Sequence, residues 1–377
     1  MKKKNHFKIP LLILVLSSVF ACSKLNKVTD VITKPSAREV YEREFKERPA
    51  VFSRWNAEFI QAQNDSLQVN LPYAENGHFT SQLSQIYTYE VSLQNGTIFT
   101  AKVEKDSLDH RVFIDIFQQQ GSALKHLESN QPEENSISFQ PIQTGTYKII
   151  IQPEIAAQTP FFISLSEKPA YHFPVVGKGN AAIQSFWGNT RDGGKRSHEG
   201  IDIFTKRGTP VVAAVDGRVS RTGNRGLGGK QVWLREGVFG NSIYYAHLDS
   251  IIAQQGQQVK VGDTLGLVGN TGNARTTPPH LHFGIYRGGA INPLPFVFNT
   301  EKIQRENLTS AFADNFLVIK SAKANLRQGP DTSYDKIEEL KKNDTLQLLG
   351  SHHSWLHIQT SANKRAYIHS SLVAPLN

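Results

Sequence analysis

Cysteine is nearly absent: the 377-residue chain has one, Cys22. A lone thiol excludes an internal disulfide and any cysteine-rich metal site. Also missing is an apolar run long enough to cross a bilayer, since the stretch from Ile9 to Leu16 falls well short of the ~20 residues a spanning helix needs. There is no long low-complexity tract and no dense basic stripe interleaved with aromatics. The formal charge of +9 includes Lys2, Lys3, Lys4 and Lys8, and without them 38 Lys and Arg face 33 Asp and Glu, or +5. That balance argues against nucleic acid as a partner and leaves room for adhesion to an anionic wall or membrane surface. The glycine-rich GNRGLGGKQ at 223–231 lacks the spacing of a phosphate-binding loop and has Gln231 where Ser or Thr should follow the lysine. It reads as a flexible loop.

What the chain does have begins at its N-terminus. MKKKNHFKIPLLILVLSSVFAC combines a basic start, a short apolar stretch and small residues before a processing point, the pattern of a secretory signal over residues 1–21. Val19-Phe20-Ala21-Cys22 resembles a bacterial lipobox, with Phe20 bulkier than usual at its position. The expectation is an exported protein carrying lipid on Cys22, tethered to a membrane facing the periplasm (the outer one first) or at the cell surface. The plainer alternative is an incidental thiol beside an ordinary cleavage site.

At this length two to four domains are expected. Residues 22–71 read as a polar tether followed by a helical segment, with Val40, Tyr41, Phe45, Phe52, Trp55, Phe59 and Ile60 at helical spacing and Pro49 dividing two helices. From 72 to 173 the period becomes two. In IYTYEVSL, Tyr87, Tyr89, Val91 and Leu93 share one face, and Asn95-Gly96 is a hairpin signal before TIFTAKV. This predicts an antiparallel β-sandwich, and GTYKIIIQPE resembles the PPC-type modules that accompany secreted peptidases. Residues 174–300 hold short β runs, many glycines and most of the histidines suited to chemistry. Residues 301–315 read as a linker, and 316–377 as short strands again. The fold class is mainly β and multidomain.

Three segments of the third region carry the chemistry. SHEGIDIF holds His198 and Asp202, and a strand that buries Ile201 and Ile203 turns Asp202 to the opposite face. YYAHLD holds His247. PPHLHFGIY holds His280 and His282, two apart and therefore on one face of a strand that Pro278 and Pro279 start extended. Two imidazoles and one carboxylate suit zinc with an open position for water, and His198, Asp202 and His282 would make such a set. His247 and His280 are then left to shuttle a proton and stabilise an oxyanion. Each piece alone has a bland reading: a surface His-x-x-x-Asp pair, or a satisfied core histidine at 247.

HEGIDIFTKRGTPVVAAVDGRV, YYAHLD and GLVGNTGNARTTPPHLHFGIY, in this order and spacing, resemble the LytM-type, lysostaphin-like zinc endopeptidases over about 125 residues. The resemblance implies a small antiparallel β-sheet metallopeptidase domain with an open groove. It implies Zn2+ held by His198, Asp202 and His282, with catalysis by His280 as general base and His247 as transition-state stabiliser, or the two exchanged. The implied substrate is the peptide stems of peptidoglycan, with a D-Ala to diaminopimelate crosslink expected first and a glycine bridge as the alternative. Asn189 falls where relatives place an inhibitory or groove residue. The sequence does not say whether the sandwich blocks the groove, which would make this a latent enzyme awaiting a partner such as a protein regulator. The tail KANLRQGPDTSYDKIEELKKNDTLQLLGSHHSWLHIQ resembles a bacterial SH3 module, an SH3-like barrel with Trp355 retained and Ala366-Tyr367 in place of the usual Gly-Trp. Such a module either binds wall peptides or is a structural barrel packed against the peptidase domain. The alternative for the whole chain is a non-catalytic wall-binding activator or scaffold for other hydrolases. A third reading, a zinc enzyme that hydrolyses an ordinary secreted protein, predicts activity without sacculi.

Overall fold

The computed structural model describes residues 33, 35–80, 85–106, 110–303 and 316–376; the signal segment, Cys22 and most of the 301–315 linker lie outside them. Among the described residues the fold is mainly β, with 27 strands. Among the described residues no helix is long and apolar enough to cross a membrane.

Two helices open the described chain, α1 (Ala37–Glu42), capped by Ser36 in a capping box with Glu39, and α2 (Pro49–Ala62), with Pro49 in its first turn. The sandwich follows with β1 (Tyr73–Phe79), β2 (Tyr87–Leu93), β3 (Thr97–Lys105) and β4 (Val112–Gln120). It continues with β5 (Ala123–Ser129), β6 (Ser136–Phe139), β7 (Gly145–Pro153) and β8 (Thr159–Pro169). One sheet has the order β2-β7-β4-β5, and the other contains β1-β8-β3-β6. Alternation in β2 places Tyr87, Tyr89, Val91 and Leu93 in the core between the sheets. β4 and β7 are buried on both faces because the helices cover the outer one, where Tyr41, Phe45 and Trp55 pack on Phe113.

The expected hairpin at Asn95-Gly96 is not one. β2 pairs with β7 and β3 pairs with β8, so the turn carries the chain from one sheet to the other. Gly96, at φ +104°, is required there because a Cβ would stand 2.4 Å from the ring of Phe296 in the next domain.

That domain is built on β9 (Ile183–Ser185), β10 (Thr190–Arg191), β11 (Arg196–Ser197) and β12 (Ile201–Phe204). Next come β13 (Pro210–Val212), β14 (Gly217–Arg225), β15 (Gly229–Arg235) and β16 (Ser242–Ile251). It closes with β17 (Gln258–Val259), β18 (Thr264–Val268), β19 (His280–Tyr286) and β20 (Ala290–Ile291). The main sheet runs β17-β14-β15-β16-β19-β12-β9, with β10 and β11 as a separate hairpin between β9 and β12. One face packs a core that includes Ile201, Ile203, Tyr245, Leu281 and Phe283. The other face bears the histidines.

The C-terminal barrel comprises β21 (Phe316–Ile319), β22 (Lys323–Arg327), β23 (Lys336–Lys341), β24 (Thr345–His352), β25 (Trp355–Thr360), β26 (Arg365–His369) and β27 (Val373–Pro375). It packs on the sandwich. β24 pairs antiparallel with β1 at Asn76–Ser351 and Gly77–Gly350, so barrel and sandwich share one 11-stranded sheet. Trp355 and Tyr367 are buried in the same apolar cluster as Tyr73 and Tyr89 of the sandwich. His352 ends β24, and its Nδ1 lies 2.6 Å from the Ala74 carbonyl oxygen.

Candidate metal centre

β12 and β19 are paired so that Asp202 lies directly opposite His282 and Phe204 opposite His280. Cross-strand partners in an antiparallel pair stand on the same face, which brings the carboxylate and the imidazole together. His198 reaches them from the turn before β12. Its Nδ1 lies 2.9 Å from the Phe186 carbonyl oxygen, so that nitrogen carries the proton and Nε2 presents a lone pair. Nε2 is 3.1 Å from Asp202 Oδ1 and 3.1 Å from His282 Nδ1, and these last two are 3.0 Å apart.

Three acceptor-type atoms thus converge at one point. A single proton on His282 serves the contacts of that nitrogen but leaves His198 Nε2 facing Asp202 Oδ1, lone pair to lone pair. A small divalent cation among the three satisfies every contact, and two neutral imidazoles with one carboxylate form a zinc-type donor set. Gly200 makes room for the His282 ring, since a Cβ there would stand 2.6 Å from Cε1 and 2.7 Å from Nε2. Burial alone would raise the Asp202 pKa, but the close imidazoles of His198 and His282 hold it far below the ordinary carboxylate range. Burial lowers the pKa of His282, which favours the neutral, ligating form.

His247 and His280 stand beside this cluster. Each donates through Nδ1 to a backbone carbonyl, Thr271 and Pro278 respectively, at 2.9 Å. That leaves Nε2 bare on each ring, and His280 Nε2 is 4.0 Å from Asp202 Oδ1. The ring centroids of His247 and His280 are 5.1 Å apart. Burial, followed by the charges of His282 and His280, lowers the His247 pKa to about 4, so it is neutral at pH 7.

His247 reaches the site through a bulge. The β15–β16 register shifts between Lys230–Leu248 and Val232–Tyr245, so Ala246 and His247 together face Gln231. His247 takes φ +62°, a conformation that costs a non-glycine residue about 1–3 kcal/mol. Its amide is held by the Gly228 carbonyl at 2.8 Å. The 223–231 segment is therefore not merely a flexible loop. It is the packed tip of the β14–β15 hairpin, where a Cβ on Gly228 would fall 1.8 Å from the Tyr244 hydroxyl.

All five candidates, His198, Asp202, His247, His280 and His282, line one cavity of about 930 Å³. Trp233, Tyr244 and Tyr286 form an aromatic wall of it, with Trp233 stacked on Tyr244 at 4.4 Å and Tyr244 5.7 Å from the His282 ring. Asn189 does not reach the cluster; its Oδ1 accepts the Phe186 amide at 2.6 Å. Arg191, two residues on, does reach it and bonds Asp202 Oδ2 at 2.9 Å as well as Ser185 Oγ. Sequence reading missed Arg191 because a lone arginine in a glycine-rich turn carries no spacing signal.

Residues 196–293 match the family model of Peptidase family M23, and residues 322–374 match that of the bacterial SH3 domain. The chain is similar to an L-Ala–D-Glu endopeptidase of Bacillus subtilis, 36% identical over 123 residues, 30% of this chain and 37% of the relative. It is similar to a metalloprotease of Haemophilus influenzae, 39% identical over 127 residues, 33% of this chain and 25% of the relative. It is also similar to the murein hydrolase activator NlpD of Salmonella typhimurium, 32% identical over 182 residues, 47% of this chain and 42% of the relative. The chain spans less than half the length of each of these relatives.

Proposed function

We propose that this chain, with its Peptidase family M23 domain, is a zinc-dependent endopeptidase that hydrolyses peptide crosslinks of peptidoglycan. The observation that carries the reading is the convergence of His198 Nε2, Asp202 Oδ1 and His282 Nδ1 within 3.1 Å of one another, with two further histidines alongside. Those three residues would hold Zn2+, which supplies Lewis acidity toward a water and a scissile carbonyl. His280 is the general base: its Nδ1 proton is fixed on Pro278, so Nε2 is the atom that accepts a proton. His247, likewise fixed on Thr271 through Nδ1, turns Nε2 to the same space, where it would stabilise the oxyanion once the proton that His280 accepts from the water is passed on to it. On this geometry the two roles are exchangeable. The aromatic wall of Trp233, Tyr244 and Tyr286 excludes water from one side of the bound peptide.

The same reading places the protein outside the cytoplasm, held to a membrane by lipid on Cys22, with its catalytic groove presented to the wall. A second reading, a non-catalytic activator of other wall hydrolases, is favoured by the likeness to NlpD.

The deciding experiment digests purified peptidoglycan with protein beginning at residue 23 and with its His282→Ala variant, reading products by mass spectrometry and metal by elemental analysis. Crosslinked muropeptides falling to monomers with the zinc-bearing parent only is the expected result. A zinc-free parent that cuts nothing transfers the case to the activator.

A further inference from the structure

The turn between β15 and β16 uses several hydrogen bonds and two glycines to hold an apolar pair in solvent. Val238 and Phe239 are 78% and 92% exposed, the two most exposed large hydrophobic side chains among the described residues. The turn beneath them is fixed. The Glu236 amide donates to the Asn241 carbonyl at 2.9 Å, the Asn241 amide to Glu236 Oε2 at 3.1 Å, and Arg235 Nη2 to the Val238 carbonyl at 3.1 Å. Gly237 takes φ +54°, and a Cβ on Gly240 would stand 2.1 Å from the Glu236 carbonyl oxygen. Arg287, from the β19–β20 turn, donates through Nε to Asn241 Oδ1 at 2.8 Å and ties the two turns together.

Cations stand beside this tip. The β14–β15 hairpin, from Gly217 to Arg235, holds Arg218, Arg221, Arg225, Lys230 and Arg235 and no acid. Arg225 and Lys230 lie toward its far end. Arg218 lies opposite Arg235 and Arg221 opposite Trp233, so these three arginines share the face that carries the aromatic wall. Arg218, Arg221 and Arg287 are exposed. Among the described residues, the side chains of Arg218, Arg235 and Arg287 hydrogen-bond only neutral oxygens, those of Gly256, Ser242, Val238 and Asn241. The acids nearby are engaged: Glu236 by the Tyr171 hydroxyl and the Asn241 amide, and Asp216 by Lys260 and the Val261 amide. An exposed apolar pair gains nothing from a hydrated polyanion, and arginines gain nothing from an apolar protein face. A bilayer surface offers both an acyl-chain boundary and phosphates.

Resting on the membrane placement proposed above and not on catalysis, we infer that this end of the domain docks on an anionic lipid bilayer. Val238 and Phe239 enter the headgroup region, and Arg218, Arg221, Arg235 and Arg287 pair with lipid phosphates. β16 runs from Ser242, opposite Tyr286, to Ala246, opposite His282, so the metal centre stands about 14 Å along the strands from the docked end at ~3.4 Å per residue. A chain tethered by lipid meets this surface at high effective concentration, so weak docking is enough to orient the groove.

The test pellets zinc-loaded protein beginning at residue 23, which carries no lipid, with vesicles of phosphatidylcholine alone or of phosphatidylcholine and phosphatidylglycerol in equal parts. The anionic vesicles should bind it about 10-fold or more tightly than the neutral ones at low salt, and the difference should shrink as salt rises. Val238→Ser combined with Phe239→Ser should weaken that binding about 10-fold. Arg218→Gln combined with Arg221→Gln should weaken it several-fold and flatten the salt dependence. Ile142→Ser, at a 76% exposed apolar residue of the β6–β7 turn in the sandwich, should leave it unchanged. All variants should keep the parental zinc content. No preference for anionic vesicles, undiminished binding by the serine pair, or equal loss with Ile142→Ser overturns the inference. So does binding to purified sacculi alone, or a dimer that the serine pair dissolves while no vesicle is bound. A full chain that fractionates with membranes although its soluble form ignores vesicles overturns the docking surface and keeps the membrane placement. Vesicle binding by a protein whose full chain fractionates away from membranes overturns the placement and keeps the docking surface.

Discussion

His357 of the C-terminal barrel and Glu75 of the sandwich are joined by a 3.0 Å contact between Nδ1 and Oε1, with both side chains fully buried. Tyr73 and Tyr89 donate to the other carboxylate oxygen at 2.6 and 2.9 Å. A carboxylate this deep is tolerated because both of its oxygens are engaged by His357 and by the two tyrosine hydroxyls. The contact joins two modules that the sequence divides.

Glu75 ought to govern acid stability. Burial would raise its pKa, but the neighbouring His357 and the hydrogen bonds from His357, Tyr73 and Tyr89 lower it below the ordinary value. A depressed carboxylate contributes stability that is present above its unfolded pKa of about 4.3 and is lost as pH falls through the folded value. Replacing Glu75 by Gln breaks the buried contact with His357 and removes the carboxylate that accepts from Tyr73 and Tyr89, and should cost about 3–5 kcal/mol in urea unfolding at pH 7. The variant should also lose less stability than the parent when pH is lowered from 5 to 3 (a range of about two units around the unfolded value). An unchanged urea midpoint at pH 7 would mean that the shared sheet, not this pair, holds the modules together.

Arg191 ought to govern metal affinity. By bonding Asp202 Oδ2 at 2.9 Å it leaves Oδ1 to face His198 and His282. Arg191→Ala should weaken zinc binding about 10–100-fold in competition with a chromogenic chelator. Arg191→Lys should restore part of it. Tighter binding in the alanine variant would show instead that the guanidinium competes with the metal for the carboxylate.

Gly228 controls where His247 points. A Cβ at 228 collides with the Tyr244 hydroxyl and displaces the carbonyl that holds the His247 amide. Gly228→Ala should lower kcat by roughly 10–100-fold, the effect of a misplacement of about 1 Å, while zinc content stays at the parental level. Loss of zinc together with activity would assign the glycine to the metal cluster.

Asn189 is expected to act on the candidate metal centre through the turn at Phe186. Its side chain orders the turn whose Phe186 carbonyl fixes His198. Asn189→Ala should weaken zinc about ten-fold and leave no latent activity to release. A gain in peptidoglycan cleavage would restore the inhibitory role that its position in the sequence suggested.

The sequence by itself determined the features that depend on local periodicity. His280 and His282 share a face because strand side chains alternate, and Asp202 turns outward because Ile201 and Ile203 are buried on the opposite face. Pro49 starts the second helix for an equally local reason. Tertiary structure decided the rest. Strict alternation would put His247 on the buried face with Tyr245; a bulge at positive φ moves it, and the contacts that hold the bulge come from Gly228 and Thr271, distant in sequence. Asn95-Gly96 carries an ordinary hairpin signal, but the two strands it joins find partners in different sheets. Arg191 becomes part of the centre only when β9, the 190–197 hairpin and β12 are brought side by side. The seam between barrel and sandwich needs Gly77, which a Cβ would drive into Phe161, and Gly350, which a Cβ would drive into Glu75. Periodicity is written in neighbouring residues, whereas register, bulges and shared sheets are set by whichever distant strands bury their faces and pair their amides best.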